Sequence, residues 1–309
     1  MPIKPSDCLR AFILNVGQAD SCVLVMPGGQ VVLIDAVNPT KVVRLLNDLG
    51  LGKGDEIAHL VLTHPHSDHY SGAGRLLKEY RIGKVTVAPY EFFCGKYGYQ
   101  AVLEEVRRQN VIASYAYHAE ESFPTKHAPV RLRVIGPSKA ILKGLSDAGK
   151  LNPNHLSLIV QIMYGKAVLL LAADAQMENW QHFDAEGFLD SKCLFLKAAH
   201  HGSRHGTQIE RLERLNPKYA VISSDPEGRD HLPDLVGAAS FLVYSRDHVV
   251  AMTAEAGTVG LTVKADGSHS TVGYGDKVGD PVPLDRGNPL RGLDLKNWTK
   301  LVQTRLSEL

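Results

Sequence analysis

The chain has 309 residues, a formal net charge of +1, 44% hydrophobic and 22% charged residues. This is the balance of a soluble globular protein long enough to bury a full core. It neither requires nor excludes a nucleic-acid partner, because a groove can be basic on a near-neutral protein. The longest apolar run, 167–173, is far too short for a membrane span, and the polar residues 1–7 lack the apolar core of a signal peptide. Cysteines at 8, 22, 94 and 193 show no C-x-x-C spacing and read as small core hydrophobes in a reducing compartment, so a cytoplasmic location with no membrane partner is expected.

In chain order, 21–25 and 31–36 read as a hairpin turning at Gly28-Gly29, its second strand ending in Asp35-Ala36. A helical stretch, 42–49, leads to an apolar strand, 59–63, and then to His64-Pro65-His66-Ser67-Asp68-His69. Residues 71–78 read as the capped start of a helix. The middle holds a strand at 85–88, an aromatic, glycine-punctuated stretch at 90–99, a helix at 99–109 and a strand at 130–135. The aromatic stretch reads either as a loop anchored in the core or as a lid stacking on a base. Residues 138–154 read as an exposed connector. A second hairpin, 157–162 and 168–175, ends in Asp174-Ala175. It is followed by a helix, 176–183, a strand, 193–197, and His200-His201-Gly202-Ser203. After about residue 260 the pattern dissolves into Gly, Pro and Asp before a terminal helix at 293–309, a candidate contact for a protein partner.

The hairpin, helix and strand thus occur twice, each time carrying acids and imidazoles to strand ends. Two such halves packed face to face form a layered α/β sandwich with a polar cleft along one edge. Three imidazoles and a carboxylate in one loop after a buried strand form a metal-binding device. Four side chains spread over a strand end and a turn suit two adjacent ions better than one. Asp174 ends a strand of near-continuous hydrophobics, where a carboxylate is costly unless a cation pairs with it; the alternative is a cap on the next helix.

The segments Asn15-Val16-Gly17-Gln18-Ala19-Asp20, Leu33-Ile34-Asp35-Ala36, Thr63 to His69, Asp174-Ala175 and Ala199-His200-His201-Gly202-Ser203 occur in one order. Together they resemble the metallo-β-lactamase superfamily, most closely the hydrolase domain of the ComEC competence proteins. The resemblance implies an αββα sandwich with the metal site at one edge over 1–265 and a C-terminal extension over 266–309. It implies a dinuclear site of two divalent ions, zinc or manganese. His64 and His66 would hold one ion, Asp68 and His69 the other, and Asp174 would bridge. His155 and His231 are the expected completing ligands, although many ComEC-type sequences carry Asn or Asp in place of the former and follow the latter directly with Pro, whereas here Leu232 intervenes. Asp35 would steady a ligand imidazole. His200 and His201, with Asp68, would be catalytic. The implied activity is a metal-dependent phosphodiesterase or nuclease on a nucleic acid or nucleotide. Rival readings are hydrolysis of a small phosphoester or cyclic nucleotide, and a low-turnover effector or binding module joined to a partner protein. Lys197, Arg204 and Arg10 read either as contacts to phosphate or as isolated surface cations.

Overall fold

The computed structural model describes residues 3–89, 97–189, 192–225, 231–274 and 281–284, with 300, 303–304 and 306–307 beyond them. The first half contains β1 (Cys8–Ile13), β2 (Cys22–Val25), β3 (Val31–Ile34), β4 (Glu56–Ile57), β5 (His59–Leu62), β6 (Arg81–Ile82), β7 (Lys84–Val87) and β8 (Ile112–Tyr115). The second contains β9 (His118–Phe123), β10 (Val130–Ile135), β11 (Ile159–Tyr164), β12 (Ala167–Leu171), β13 (Phe195–Lys197), β14 (Tyr219–Ile222) and β15 (Val249–Met252). The chain then returns to the first half as β16 (Thr258–Lys264), β17 (His269–Tyr274) and β18 (Pro281–Pro283).

One sheet runs β18-β17-β16-β1-β2-β3-β5-β7-β8 and the other β15-β14-β13-β12-β11-β10-β9, with β4 and β6 as a separate parallel pair. Three apolar layers account for the stacking. Leu9, Ala11 and Ile13 alternate inward from β1 to meet Val130, Leu132 and Val134 of β10 between the sheets. Phe12, Leu60 and Leu62 face the helices Pro39–Asp48, Ala73–Glu79 and Tyr97–Arg108. Leu170, Leu196 and Ala220 face the helices Met177–Ala185, Ile209–Leu215 and Leu235–Tyr244. Covered on both faces, β5 and β12 are near-continuous hydrophobic runs, as buried parallel strands must be. The architecture is the expected αββα sandwich. Among the described residues no helix is long and apolar enough to cross a membrane.

The halves match strand for strand. Antiparallel β1-β2-β3 passes to parallel β5, β7 and β8, and antiparallel β10-β11-β12 to parallel β13, β14 and β15. Antiparallel β16 and β9 flank β1 and β10 in the same way. Both hairpins turn on a left-handed glycine pressed against another backbone. A Cβ on Gly29 would stand 2.2 Å from the Ile3 carbonyl oxygen, and one on Gly165 1.9 Å from that of Ala265.

The register corrects one inference. Ile34 pairs with Val61 and Leu171 with Lys197, and the next amides, Asp35 and Ala172, donate to the Val61 and Lys197 carbonyls. Asp35 therefore corresponds to Ala172, and Asp174 lies two residues farther along its half.

Residues 138–154 are not a plain connector. Ser138 caps a helix, Lys139–Asp147, by accepting from the Ile141 amide, and Leu142 anchors it in the core; Pro153–Leu156 is a 3₁₀ turn. The boundary expected at 265/266 falls inside the β16–β17 hairpin, whose pairing continues the first sheet to β18. The aromatic residues 90–96 lie outside the described residues, as does nearly all of the helix expected at 293–309.

Candidate metal centre

The ends of β3, β5, β12 and β13 bring both halves' polar loops to one edge. After β5 the chain turns into a single helical turn, Ser67–Tyr70, which carries Asp68 and His69 back over the strand end that delivers His64. After β13 it enters a tight turn in which His200, His201 and Gly202 all have positive φ, at 49°, 50° and 81°. Two adjacent non-glycine residues in that region cost of order 1–3 kcal/mol each, and the turn swings both imidazoles toward Asp174.

Asp174 is the hub. Its Oδ1 lies 3.3 Å from His69 Nε2 and 3.6 Å from His201 Nε2; its Oδ2 lies 3.6 Å from His64 Nε2 and 3.9 Å from His200 Nε2. Asp68 Oδ2 approaches His201 Nε2 at 3.6 Å. Potential ligand atoms within 4.8 Å of one another form several groups: His64, His69 and Asp174; Asp68, His69 and His201; Asp20, Asp174 and His201; and Asp20, Asp35 and His69. His69 Nε2, His201 Nε2 and Asp174 Oδ1 are buried with no hydrogen-bond partner among the described residues. Three converging orphaned atoms, two imidazole nitrogens and a carboxylate oxygen, are the donor set a divalent transition ion requires.

The ring nitrogens facing away are held. His69 Nδ1 donates to Asp35 Oδ2 at 2.7 Å, and His201 Nδ1 donates to the Ser223 carbonyl at 2.7 Å, so each ring, once neutral, turns its Nε2 lone pair inward. Asp35 also accepts from the Thr63 amide (2.8 Å) and hydroxyl (2.7 Å), tying this support to β5. Burial drives the Asp35 carboxyl up, opposed by His69, and drives His64 well below the usual imidazole range. For His69 and His201 burial disfavours the cation, but Asp174, with Asp35 for the former and Asp68 for the latter, outweighs it and raises both. Asp174 and Asp68 are lowered in turn: burial opposes ionisation, and the imidazoles beside them overcome it. A carboxylate set that holds protons on two imidazoles will exchange them for a metal ion, which binds neutral nitrogen.

Beneath the cluster Lys197, only 3% exposed, forms a close ion pair with Asp20 and donates to the Ala173 carbonyl at 3.3 Å. Lys197 is therefore an internal counter-ion and no contact to phosphate. Asp20 Oδ2 lies 3.8 Å from His69 Nδ1 and its Oδ1 3.8 Å from His201 Nδ1. Arg204 is exposed, with its amide held by Asp234 at 2.9 Å.

Of the residues singled out from sequence, His64, Asp68, His69, Asp174, His200 and His201 converge. His66 touches the group through His64, Nδ1 to Nε2 at 3.1 Å. His155 does not join it: Nδ1 accepts the Asn152 amide at 3.1 Å, which leaves the proton on Nε2, turned to Glu178 at 3.4 Å. Asn154, one residue earlier, is the side chain that reaches the site, 3.2 Å from His200 Nε2. The 3₁₀ turn decides between these neighbours, since consecutive residues point in different directions. His231 is exposed and belongs to none of the ligand groups among the described residues.

A family model described as the metallo-beta-lactamase superfamily matches residues 15–225. ComE operon protein 3 of Bacillus subtilis (strain 168) is 26% identical over 174 residues, 56% of this chain and 21% of that protein. Recombination protein 2 of Haemophilus influenzae is 24% identical over 174 residues, 56% of this chain and 18% of its own length. The chain thus spans about a fifth of these relatives. Among solved structures, Zn(2+)-bound PqqB from Methylobacterium extorquens superposes with a TM-score of 0.50 at 14% identity, over 78% of this chain and 97% of that one. A mutant of CmlA beta-hydroxylase gives 0.51 at 14% identity, over 81% and 52%. Both show the fold alone.

Proposed function

Because the chain belongs to the metallo-beta-lactamase superfamily, a fold used mostly for metal-dependent hydrolysis, we propose that it hydrolyses phosphodiesters of a nucleic-acid strand with two divalent cations, zinc or manganese. The observation that carries the reading is the convergence of His64, Asp68, His69, His201 and Asp174 around buried, unpartnered ligand atoms. The names of the relatives, a ComE operon and a recombination protein, support nucleic acid as substrate.

Bound cations supply Lewis acidity and acidify water at neutral pH. The protein's own groups do the rest. Asp174, His69, His201, His64 and Asp68 would hold the cations. Asp35 and the Ser223 carbonyl keep protons on the two Nδ1 atoms, so that neither ring flips its donor into the site. His201 thereby joins the groups that hold metal. Asp68, about one-third exposed, would orient the attacking water by accepting its hydrogen bond. His200 is the imidazole open to the cleft, one-fifth exposed and steadied by Asn154. Burial holds it below the usual imidazole range, so it meets substrate as a neutral ring.

The test is incubation of purified protein with manganese or zinc against single-stranded DNA, RNA, cyclic nucleotides and a chromogenic phosphodiester, beside metal analysis. Strand cleavage with two ions per chain is expected. Cleavage confined to cyclic nucleotides would reject the strand substrate, and saturation below two ions would reject the paired site.

A further inference from the structure

The first sheet carries a second cleft on its outer face, where β1, β16 and β17 pass beside the helix Pro39–Asp48. We propose that this cleft is an anion site that takes a backbone phosphate of the nucleic-acid strand flanking the bond to be cut. The inference rests on the reading of the protein as a phosphodiesterase of nucleic acid, and deepens it by naming a polymer as the substrate.

The cleft has a volume of about 260 Å³ and is lined by Arg10, Phe12, Lys41, Arg44, Thr258 and Tyr274 among others. Three cations meet there against one acid among the described lining residues, Asp48. Arg10 stands on the outward face of β1 between Thr262 and Val25, where neighbouring outward positions, Phe12 and Leu14, are apolar. Its Nε is buried and has no acceptor among the described residues. A shielded guanidinium donor with no partner costs roughly 1–3 kcal/mol or more, and an oxyanion entering the cleft offsets it. Arg44 projects from the helix across the cleft and is exposed. Lys41 Nζ donates to the Asn15 carbonyl at 2.6 Å and pins the helix to the loop that follows β1.

The aromatic wall of the cleft is Tyr274, partly buried and packed against the core residue Phe12. The rings of Phe12 and Tyr274 lie 6.3 Å apart at 44°. Gly260, paired with Phe12, leaves them room: a Cβ there would stand 2.8 Å from the Tyr274 ring and 3.3 Å from that of Phe12. Tyr274 is the one ring of this pair with an accessible face, and a ring beside arginines is a sequence-tolerant place for a base to stack.

The cleft and the metal centre are joined by one loop. Asn15 lines the cleft and Asp20 lies under the imidazoles, and five residues of chain reach at most about 18 Å, a separation one short strand bridges. A polymer held at the metal centre is long enough to run from it into the cleft.

The experiment measures binding of a fluorescent single-stranded oligonucleotide by the full chain over a range of KCl concentrations, and in parallel hydrolysis of a chromogenic phosphodiester with manganese. Arg10→Gln with Arg44→Gln should weaken oligonucleotide binding and flatten the slope of log K against log salt by about 0.7, the slope of one lost phosphate contact to a single strand. Hydrolysis of the small diester should persist. Arg44→Glu alone, on an exposed helix face, reads the same slope should the double variant not fold. An unchanged slope in the folded variants overturns the cleft as a phosphate site. A wild-type protein that binds the strand but cleaves no diester instead overturns the catalytic reading, and leaves the salt slope as the measure of the cleft.

Discussion

The two halves share one backbone plan and use it for different chemistry. Val61 and Lys197 occupy the same register position, each facing inward at the end of the parallel strand that enters the site. Val61 packs into the layer between the sheets, whereas Lys197 buries an ammonium against Asp20. Asp35 supports from behind what Asp174, two residues farther out, presents in front. The repeated plan is the scaffold, and placement along it separates support from ligation. A site built this way gathers opposite charges that neither half could bury alone.

The sharpest break of the comparison is at the forward carboxylate. Asp174→Ala should release metal from the whole cluster and reduce phosphodiester hydrolysis to background, measured by metal content and turnover; retained metal would reject its place as the hub. Next comes the register pair. Lys197→Met leaves Asp20 buried and unpaired and should cost about 3–5 kcal/mol in denaturant unfolding. Val61→Ala at the matching position should cost about 2 kcal/mol, a packing loss only. Equal losses would show that the halves have not diverged there.

Asn154→Ala frees the His200 ring and should lower turnover about 10-fold with metal content unchanged. Co-loss of metal would instead place Asn154 among the metal-holding groups. The smallest effect concerns the inter-sheet contact of His59 with Glu121, 2.8 Å apart. His59, and then Lys84, hold the Glu121 carboxyl below its ordinary range against a partial burial cost. A depressed carboxyl contributes stability above its unfolded value and loses it as pH falls through its folded one. Glu121→Gln should therefore cost about 1 kcal/mol or less near neutrality and nothing in acid, as read by paired unfolding curves.

Both hairpins, their following helices and the imidazole loop were legible because apolar runs bounded by glycine turns and terminated by acids are local signals. The helix Lys139–Asp147 was not, because Leu142 is its one fully buried side chain and Gly144 interrupts its middle. Nor was the continuation of the first sheet through β16 and β17: Cys8 pairs with Lys264, a contact between residues 256 positions apart that no local pattern announces. Asn154 was hidden behind its neighbour, because an imidazole is the stronger sign of a ligand than an amide.

By itself the sequence determined the donor types and their order, since an Asp after a buried strand and clustered imidazoles are chemically costly without a cation. Tertiary structure decided which atoms face one another. Register put Asp35 behind and Asp174 in front, the turn at His200 and His201 aimed two rings inward, and packing sealed Lys197 beneath them. Orientation and burial are properties of side chains brought together from distant strands, so they arise only when both sheets have closed on each other.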